Sequence, residues 1–175
     1  MRTLPRILTS VCLLLIHKNY TDEEFMKSLE THTPKPDTLI ARVIFSEASI
    51  ICSSYERMCV ASVIVNRLNH PGFKKPKTLE EIVMQSNQFN CIYDANNKNW
   101  WMSEKEILSN LETAPVWAQC LQLSTGLFTP INKDIVMYHD KSIEKPNNWD
   151  NKWWSTHQLI ETPHFKFYEI KSIVK

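Results

Sequence analysis

The sequence predicts a mainly helical α+β domain with a small β element near its C-terminus. Three observations lead to this prediction. The 175 residues are 43% hydrophobic and 22% charged, which is enough for one buried core and excludes a disordered chain. Apolar residues recur with helical spacing between capping residues over most of the chain. Two short runs rich in β-branched and aromatic residues, 135–139 and 165–168, follow the helices and predict strands.

A proline-rich segment, residues 32–36, divides the chain near its N-terminus. We therefore expect residues 1–36 to form a helical extension and residues 37–175 to form the main domain. The apolar stretch 7–16 fits a helical stripe, but two preceding arginines also fit a signal or anchor. This stretch is much shorter than the roughly 20 residues that cross a bilayer, and it gives no firm support for membrane association.

Five helices are predicted in the main domain from their boundary residues. The helix starts are indicated by capping residues, capping boxes and a first-turn proline. The helix ends are indicated by the loss of apolar spacing, a His-Pro-Gly run and a glycine. The start signals are Asp37, Ser53 or Ser54, Thr78 with Glu81, Ser103 with Glu106, and Pro115. The end signals are Ala48 or Ser49, His70, and Gly126. The second helix is apolar on most sides, which predicts the buried central helix.

Two segments are predicted to be loops. Residues 87–99 are polar and rich in asparagine, which indicates a long ordered loop. A tryptophan-rich loop is expected between the two strands, and it contains Trp149, Trp153 and Trp154.

The charge balance limits the classes of binding partner. The chain has 20 basic and 19 acidic residues and a net charge of +1. A dedicated nucleic-acid binder normally has a basic excess, so the sequence predicts no nucleic-acid partner. A polymer of neutral sugars remains compatible with this balance.

The cysteines and histidines give no sign of a metal or cofactor. Five cysteines without a CxxC pair suit neither a disulfide framework nor a common zinc site. We expect most of them to be small buried residues. His139, His157 and His164 lack a recognised ligand spacing. The sequence therefore predicts no metal site and no cofactor.

Glu47 is the candidate general acid. It follows Val43 by four residues and Ile44 by three, so it continues the core-facing side of the first main-domain helix. Partial burial and the negative end of the helix dipole both favour the protonated carboxylic acid. A carboxylic acid that keeps its proton can donate it during catalysis. The alternative is a surface glutamate whose side chain simply reaches solvent.

Other side chains could line a cleft or act as a nucleophile. Tyr138, His139 and His164 are polar candidates for the wall of a cleft, although a lone histidine is more often structural. Loop tryptophans could stack on sugar rings or pack under the loops. Cys52 precedes a helix, where a thiol can be activated, and His139 or His164 could be its base.

The order and spacing of several motifs resemble the SleB-type cell wall hydrolases, the spore cortex-lytic enzyme family. Residues 41–48, ARVIFSEA, resemble the opening motif, and residues 59–68, CVASVIVNRL, resemble the buried helix that ends in Asn-Arg. Residues 88–91, QFNC, are similar to a Gln-Phe-Ser loop. The resemblance covers about residues 38–168. Further matches follow in the expected order at 70–73, 124–126, Tyr138-His139, Pro146, Trp149, His164 and Phe167-Tyr168.

The resemblance implies a lysozyme-like fold with a cleft for peptidoglycan glycan strands. It implies cleavage of the β-1,4 bond between N-acetylmuramic acid and N-acetylglucosamine by a lytic transglycosylase, with Glu47 as the single catalytic residue. Gln88, Tyr138 and His139 are expected to position the substrate. Phe89 and Trp149 are expected to be platforms for sugar rings.

The chain departs from the family pattern directly after Glu47. The family continues with Ala-Arg-Gly-Glu, whereas residues 48–51 read Ala-Ser-Ile-Ile. The second glutamate is therefore lost or displaced to Glu56. This departure motivates an alternative, a degenerate protein that binds peptidoglycan without cutting it. A cysteine-dependent peptidase or amidase is a third interpretation. An active enzyme could be a phage endolysin or virion protein, or an exported wall-remodelling factor.

Overall fold

The computed structural model describes residues 38–73, 76–85, 88–151 and 153–173, and the predicted extension 1–36 lies outside them. Within these ranges the helices come first and a small antiparallel sheet follows, which confirms the predicted fold class. The helices are α1 (Leu39–Glu47), α2 (Ser54–Asn69), α3 (Leu79–Val83), α4 (Lys98–Trp101), α5 (Glu104–Ser109) and α6 (Thr113–Ser124). Single 3-10 turns occur at Asn90–Ile92 and Asn147–Trp149. None of the helices described here has the length and apolarity to cross a membrane.

The sheet has three strands, β1 (Met137–Asp140), β2 (Trp154–Glu161) and β3 (Phe165–Ser172). Their spatial order is β1-β3-β2, and both pairings are antiparallel. The register places Tyr138 opposite Phe167. An irregularity in β2 lies between Gln158 and Ile160.

Helix α2 is the central helix, as predicted, because its residues enter two adjoining core clusters. Ala61 and Ile64 belong to the cluster that α2 shares with α1 and α6. Val60 and Val63 belong to the cluster that α2 shares with the sheet. Tyr138 packs against both clusters, so the first strand is held where the helical and sheet parts of the core meet.

The predicted helix boundaries are largely confirmed. Ser53 and Ser103 each cap a helix in a reciprocal capping box. Thr78 accepts a hydrogen bond from the Glu81 amide, but the Glu81 carboxylate accepts one from the Lys77 amide instead of completing the box. Pro115 lies in the first turn of α6.

Gly126 ends α6 in the left-handed region, with φ of 68°. A Cβ atom there would lie 3.1 Å from Leu79 Cδ1. Both the backbone conformation and the close approach therefore favour glycine.

Some boundary predictions were wrong. The N-cap position of α1 is Thr38, one residue after the predicted Asp37, and its side chain makes no capping hydrogen bond. The predicted loop 87–99 contains the 3-10 turn and the start of α4, which Asn97 caps. The first strand begins at Met137 instead of residue 135.

The tryptophan-rich segment contains a strand that the sequence analysis missed. Trp154 begins β2, which forms the outer edge of the sheet. The run WSTHQLIE is largely polar, and no alternation of buried and exposed residues marks it. An edge strand with little burial lacks the period-two pattern that identifies strands in a sequence.

The cysteines of the described ranges are free and buried, as predicted, namely Cys52, Cys59, Cys91 and Cys120. Burial raises the pKa of the Cys120 thiol to about 12, so this side chain serves as a small apolar core residue.

Candidate functional site

A cavity of about 370 Å³ lies between the end of α1, the 3-10 turn at Asn90–Ile92 and strand β1. It brings together residues that are far apart in the sequence. The predicted site residues that line it are Glu47, Gln88, Tyr138, His139 and Trp149. Two further carboxylates, Asp94 and Asp140, lie on the same lining.

Glu47 is the last residue of α1 and is partly exposed. Its Oε2 atom accepts a hydrogen bond of 2.9 Å from the Tyr138 hydroxyl. Its Oε1 atom accepts a hydrogen bond of 3.3 Å from the Cys91 amide. The carboxyl group is thus held in one orientation at the cavity by two donors from different parts of the chain.

The aromatic packing around Tyr138 fixes the direction of its hydroxyl. The ring meets Phe165 edge to face at 5.6 Å and lies tilted against Phe167 at 5.6 Å. Burial, the nearby Glu47 carboxylate and the Cys91 thiol raise the pKa of Tyr138 well above its usual value. The phenol therefore stays protonated at neutral pH and acts as a hydrogen-bond donor to Glu47.

Arg67 is a residue of this site that the sequence analysis did not single out. Its side chain is 4% exposed, and Nε donates a hydrogen bond of 2.6 Å to the Val136 carbonyl. Its guanidinium lies 5.0 Å from the ring centres of both Phe73 and Phe89. Burial lowers the pKa of Arg67 to about 10, while the nearby Tyr138 and Glu47 oppose that shift. The cation therefore persists at neutral pH beside the cavity.

The polar pair at the end of α2 also holds the entry to β1. Asn66 Nδ2 donates to the carbonyls of Asn132 at 2.9 Å and Ile135 at 2.7 Å. Together with Arg67, it fixes the segment that leads to Tyr138. The available signal for this role was an Asn-Arg pair that directly follows the apolar run 63–65 near the end of α2.

Phe89 does not lie on the cavity surface, which corrects its expected contact with sugar. The side chain is 1% exposed and belongs to the helical core cluster. Its ring lies 6.5 Å from that of Tyr138. Burial of this apolar ring is favourable because it removes the ring from water. Phe89 therefore packs behind the cavity wall, next to Arg67 and Tyr138.

His139 and Trp149 form a second wall of the cavity. His139 is 6% exposed, and its ring stacks on Tyr168 at 5.5 Å. Both imidazole nitrogens are engaged, one with the Tyr168 hydroxyl at 3.0 Å and the other with the Asp140 carbonyl at 2.7 Å. Trp149 meets the His139 ring edge to face at 5.7 Å and is partly exposed. Trp149 thus presents an aromatic surface that His139 and Tyr168 support.

A second cavity of about 450 Å³ adjoins the first, because Gln88 and Trp149 line both. Its lining includes the aromatic rings of Phe73 and Trp154. The two cavities therefore share part of their walls, and together we call them the groove. Besides the carboxylates of the first cavity, the lining has aromatic and amide side chains, which suit a neutral polar polymer.

Cys52 and His164, considered above as a nucleophile and its base, lie near each other, but the surroundings of the thiol do not favour its activation. Sγ of Cys52 lies within 4.8 Å of a donor atom of His164. However, burial and the Glu56 carboxylate raise the pKa of the Cys52 thiol to about 11. His164 Nδ1 contacts Glu56 Oε1 at 3.1 Å. The environment therefore favours the protonated thiol, and a cysteine nucleophile finds little support in this geometry.

Comparison with protein families gives a match, whereas comparisons with curated proteins and with solved structures give none. The matched family is described as cell wall hydrolase, over residues 53–168. The match includes α2 and the cavity residues Gln88, Tyr138, His139 and Trp149, and it begins after Glu47 and α1. Because it spans more than half of the chain, the chain belongs to the cell wall hydrolase family.

Proposed function

We propose that this protein cleaves glycan strands of peptidoglycan between N-acetylmuramic acid and N-acetylglucosamine, as a lytic transglycosylase. Membership of the cell wall hydrolase family supports peptidoglycan hydrolysis in general. The proposal of a lytic transglycosylase depends on one observation. The Glu47 carboxyl group lies in the groove and is oriented by Tyr138 and the Cys91 amide.

Glu47 can carry out the reaction alone in two steps. As an acid it protonates the glycosidic oxygen, and the bond from that oxygen to C1 of the muramic acid breaks. As the resulting carboxylate it removes the proton from the C6 hydroxyl of the same sugar, whose oxygen then bonds to C1. The product is a 1,6-anhydro end, and Glu47 regains its proton. The attacking hydroxyl is already part of the substrate, so proximity replaces a second activating residue.

The surroundings of Glu47 are suited to stabilising its carboxylate after proton transfer. The Tyr138 hydroxyl and the Cys91 amide donate to the two carboxylate oxygens. The buried Arg67 cation is close enough to interact electrostatically with Glu47. Donors and a charge that are held in place by the core act without reorganisation during the reaction.

The substrate would extend along the groove past Gln88 and Trp149. Both side chains are partly exposed and line both cavities. The Gln88 amide can hydrogen-bond sugar hydroxyl or N-acetyl groups, and the Trp149 ring offers an apolar face to a pyranose. His139 contributes by supporting Trp149.

A second candidate is a hydrolase that uses two carboxylates. Asp94 and Asp140 line the cavity that contains Glu47. Hydrogen bonds from Ser142 lower the pKa of Asp140, so its carboxylate is ionised at neutral pH. Ordinary glycosidases pair such a base or nucleophile with a carboxylic acid.

Mass spectrometry of the soluble products from purified peptidoglycan separates these functions. The wild type is expected to release anhydromuropeptides, and Glu47→Gln is expected to release none. The isosteric substitutions Asp94→Asn and Asp140→Asn serve as matched controls, which should retain cleavage by a transglycosylase. Reducing-end products, lost in either control variant, would instead support the two-carboxylate hydrolase.

Binding without cleavage is the outcome that contradicts both enzymatic functions. If neither the wild type nor Glu47→Gln releases fragments from several wall types, while both sediment with the wall, the protein is a degenerate peptidoglycan-binding member. Release of free stem peptides that is blocked by a thiol-alkylating reagent would support a cysteine peptidase.

A further inference from the structure

Three potential metal ligands of different chemistry converge next to the cavity that contains Glu47. Cys52 lies in the connection between α1 and α2, Glu56 in the first turn of α2, and His164 between β2 and β3. Their donor atoms, a thiol sulfur, a carboxylate oxygen and an imidazole nitrogen, all lie within 4.8 Å of one another. Among the described residues, these three form the group of His, Cys, Asp and Glu side chains whose donor atoms lie close enough to share a metal ion.

We propose that Cys52, Glu56 and His164 bind a zinc ion. Thiolate, imidazole and carboxylate groups are the ligands that zinc takes in proteins. In tetrahedral sites with metal–ligand distances of about 2.0–2.3 Å, neighbouring donor atoms lie about 3.3–3.6 Å apart. His164 Nδ1 already lies 3.1 and 3.2 Å from the two Glu56 oxygens. The Cys52 sulfur lies within 4.8 Å of the other two donor atoms, so it needs an approach of about 1.2 Å at most to complete this triangle.

Glu56 is an anion that the backbone orients for this role. The side chain is 1% exposed. Its Oε2 atom accepts hydrogen bonds from the Ser53 amide at 2.7 Å and the Ser53 hydroxyl at 3.0 Å. Its Oε1 atom accepts one from the His164 amide at 3.0 Å. Such outer contacts fix the direction of a metal-binding carboxylate.

The charges around the site also favour a cation. Glu56 and Asp140 both interact electrostatically with Cys52. Arg57 is the positive charge that interacts with Cys52 in the opposite sense. Its guanidinium already donates hydrogen bonds to the Cys52 carbonyl at 2.6 Å and the Ser49 carbonyl at 2.9 Å. A divalent ion would balance the thiolate and carboxylate, and binding would release the Cys52 thiol proton to solvent.

His164 provides the route by which an ion can enter. Its side chain is 37% exposed, whereas Cys52 is 6% exposed. In the metal-bound state its proton resides on Nε2 while Nδ1 faces the metal. Because three protein side chains converge here, water would be the fourth ligand of a tetrahedral site.

A bound ion would stabilise the wall of the cavity that contains Glu47. Zinc would join the start of α2 to the turn between β2 and β3. The residue after His164, Phe165, lines the cavity that contains Glu47 and packs against Tyr138 at 5.6 Å. We therefore infer a supporting role for the ion, separate from the proposed chemistry at Glu47.

Cobalt and zinc titrations of the full chain test this site directly. After removal of metals with a chelator, the wild type should bind one Co²⁺ and develop a thiolate-to-cobalt charge-transfer band. Zn²⁺ should displace the Co²⁺ and raise the midpoint of thermal unfolding. Cys52→Ser should lose the band, and His164→Gln should weaken binding by roughly tenfold or more.

The controls are substitutions of the same residue types outside the site, Cys59→Ala and His157→Gln, which should keep both the band and the affinity. Circular dichroism in chelator establishes that each variant folds. His164 is exposed enough for its substitution to leave folding intact, so this variant tests the site even if Cys52→Ser does not fold. No tight Co²⁺ binding by the wild type, a full band in Cys52→Ser, or unchanged affinity in His164→Gln would each overturn the proposal.

Discussion

The hydroxyl of Tyr138 donates a hydrogen bond of 2.9 Å to the Glu47 carboxylate, across 91 residues of sequence. This contact joins the end of the first described helix to the first strand. It also gives the proposed acid a neighbour whose phenol stays protonated, since burial and Glu47 raise its pKa well above the usual value.

Replacing Tyr138 with phenylalanine should reduce kcat by about 10²–10³, in the range observed for loss of one donor to a transition-state charge. The aromatic packing against Phe165 and Phe167 would remain, so the fold should persist. Initial rates of fragment release from peptidoglycan measure the effect, and thermal unfolding is the control. An unchanged kcat in a folded variant would contradict the proposed role of the hydroxyl.

Replacing Trp149 with alanine should raise KM more than it lowers kcat. The ring lines both cavities and is partly exposed, so its loss removes binding surface without touching Glu47. Rates at several concentrations of soluble glycan fragments separate the two constants. The loss should be smaller for Trp149→Phe, which keeps an aromatic face. A fall in kcat alone would indicate that Trp149 acts at the reacting bond.

Replacing Phe89 with alanine should instead destabilise the fold by about 3–5 kcal/mol, because a large side chain leaves a well-packed core. Phe89 is 1% exposed, so no direct effect on substrate affinity is expected. Urea unfolding measures the loss, and KM of the folded fraction is the comparison with Trp149→Ala. A stable variant with a strongly raised KM would restore Phe89 as a sugar contact.

Glu56 should make stability depend on pH in the acidic range. Burial alone would raise its pKa, but hydrogen bonds from the Ser53 amide, the Thr162 side chain and the His164 amide hold the pKa at about 2, against an ordinary 4.5. The folded state therefore resists protonation of this group. Its contribution is present in full above about pH 4.5 and is lost as the pH falls toward 2.

Urea unfolding in chelator, at several pH values from neutral to acidic, measures this contribution. The wild type should exceed Glu56→Gln by about 2–3 kcal/mol at neutral pH, and the difference should shrink on acidification. Taking the difference removes the effect of other acidic groups common to both proteins. A difference that is independent of pH would show that Glu56 contributes through packing alone.

Local patterns determined much of this protein from its sequence. The fold class, the central helix, the caps at Ser53 and Ser103 and the end of α6 at Gly126 all match the structure. These features depend on residues a few positions apart, whose spacing is fixed by the helix period and by hydrogen bonds to free backbone amides. The position of Glu47 at the end of a core-facing helix was predictable for the same reason.

Only the tertiary structure decided which distant side chains meet. It buried Phe89 and left Trp149 partly exposed, although both are aromatic residues in irregular segments. It brought Arg67 and Tyr138 to Glu47, and it added β2 as an outer strand with little burial. Side-chain periodicity reports which face of an element is buried, but contacts between elements depend on how the whole core packs, and no local pattern encodes that packing.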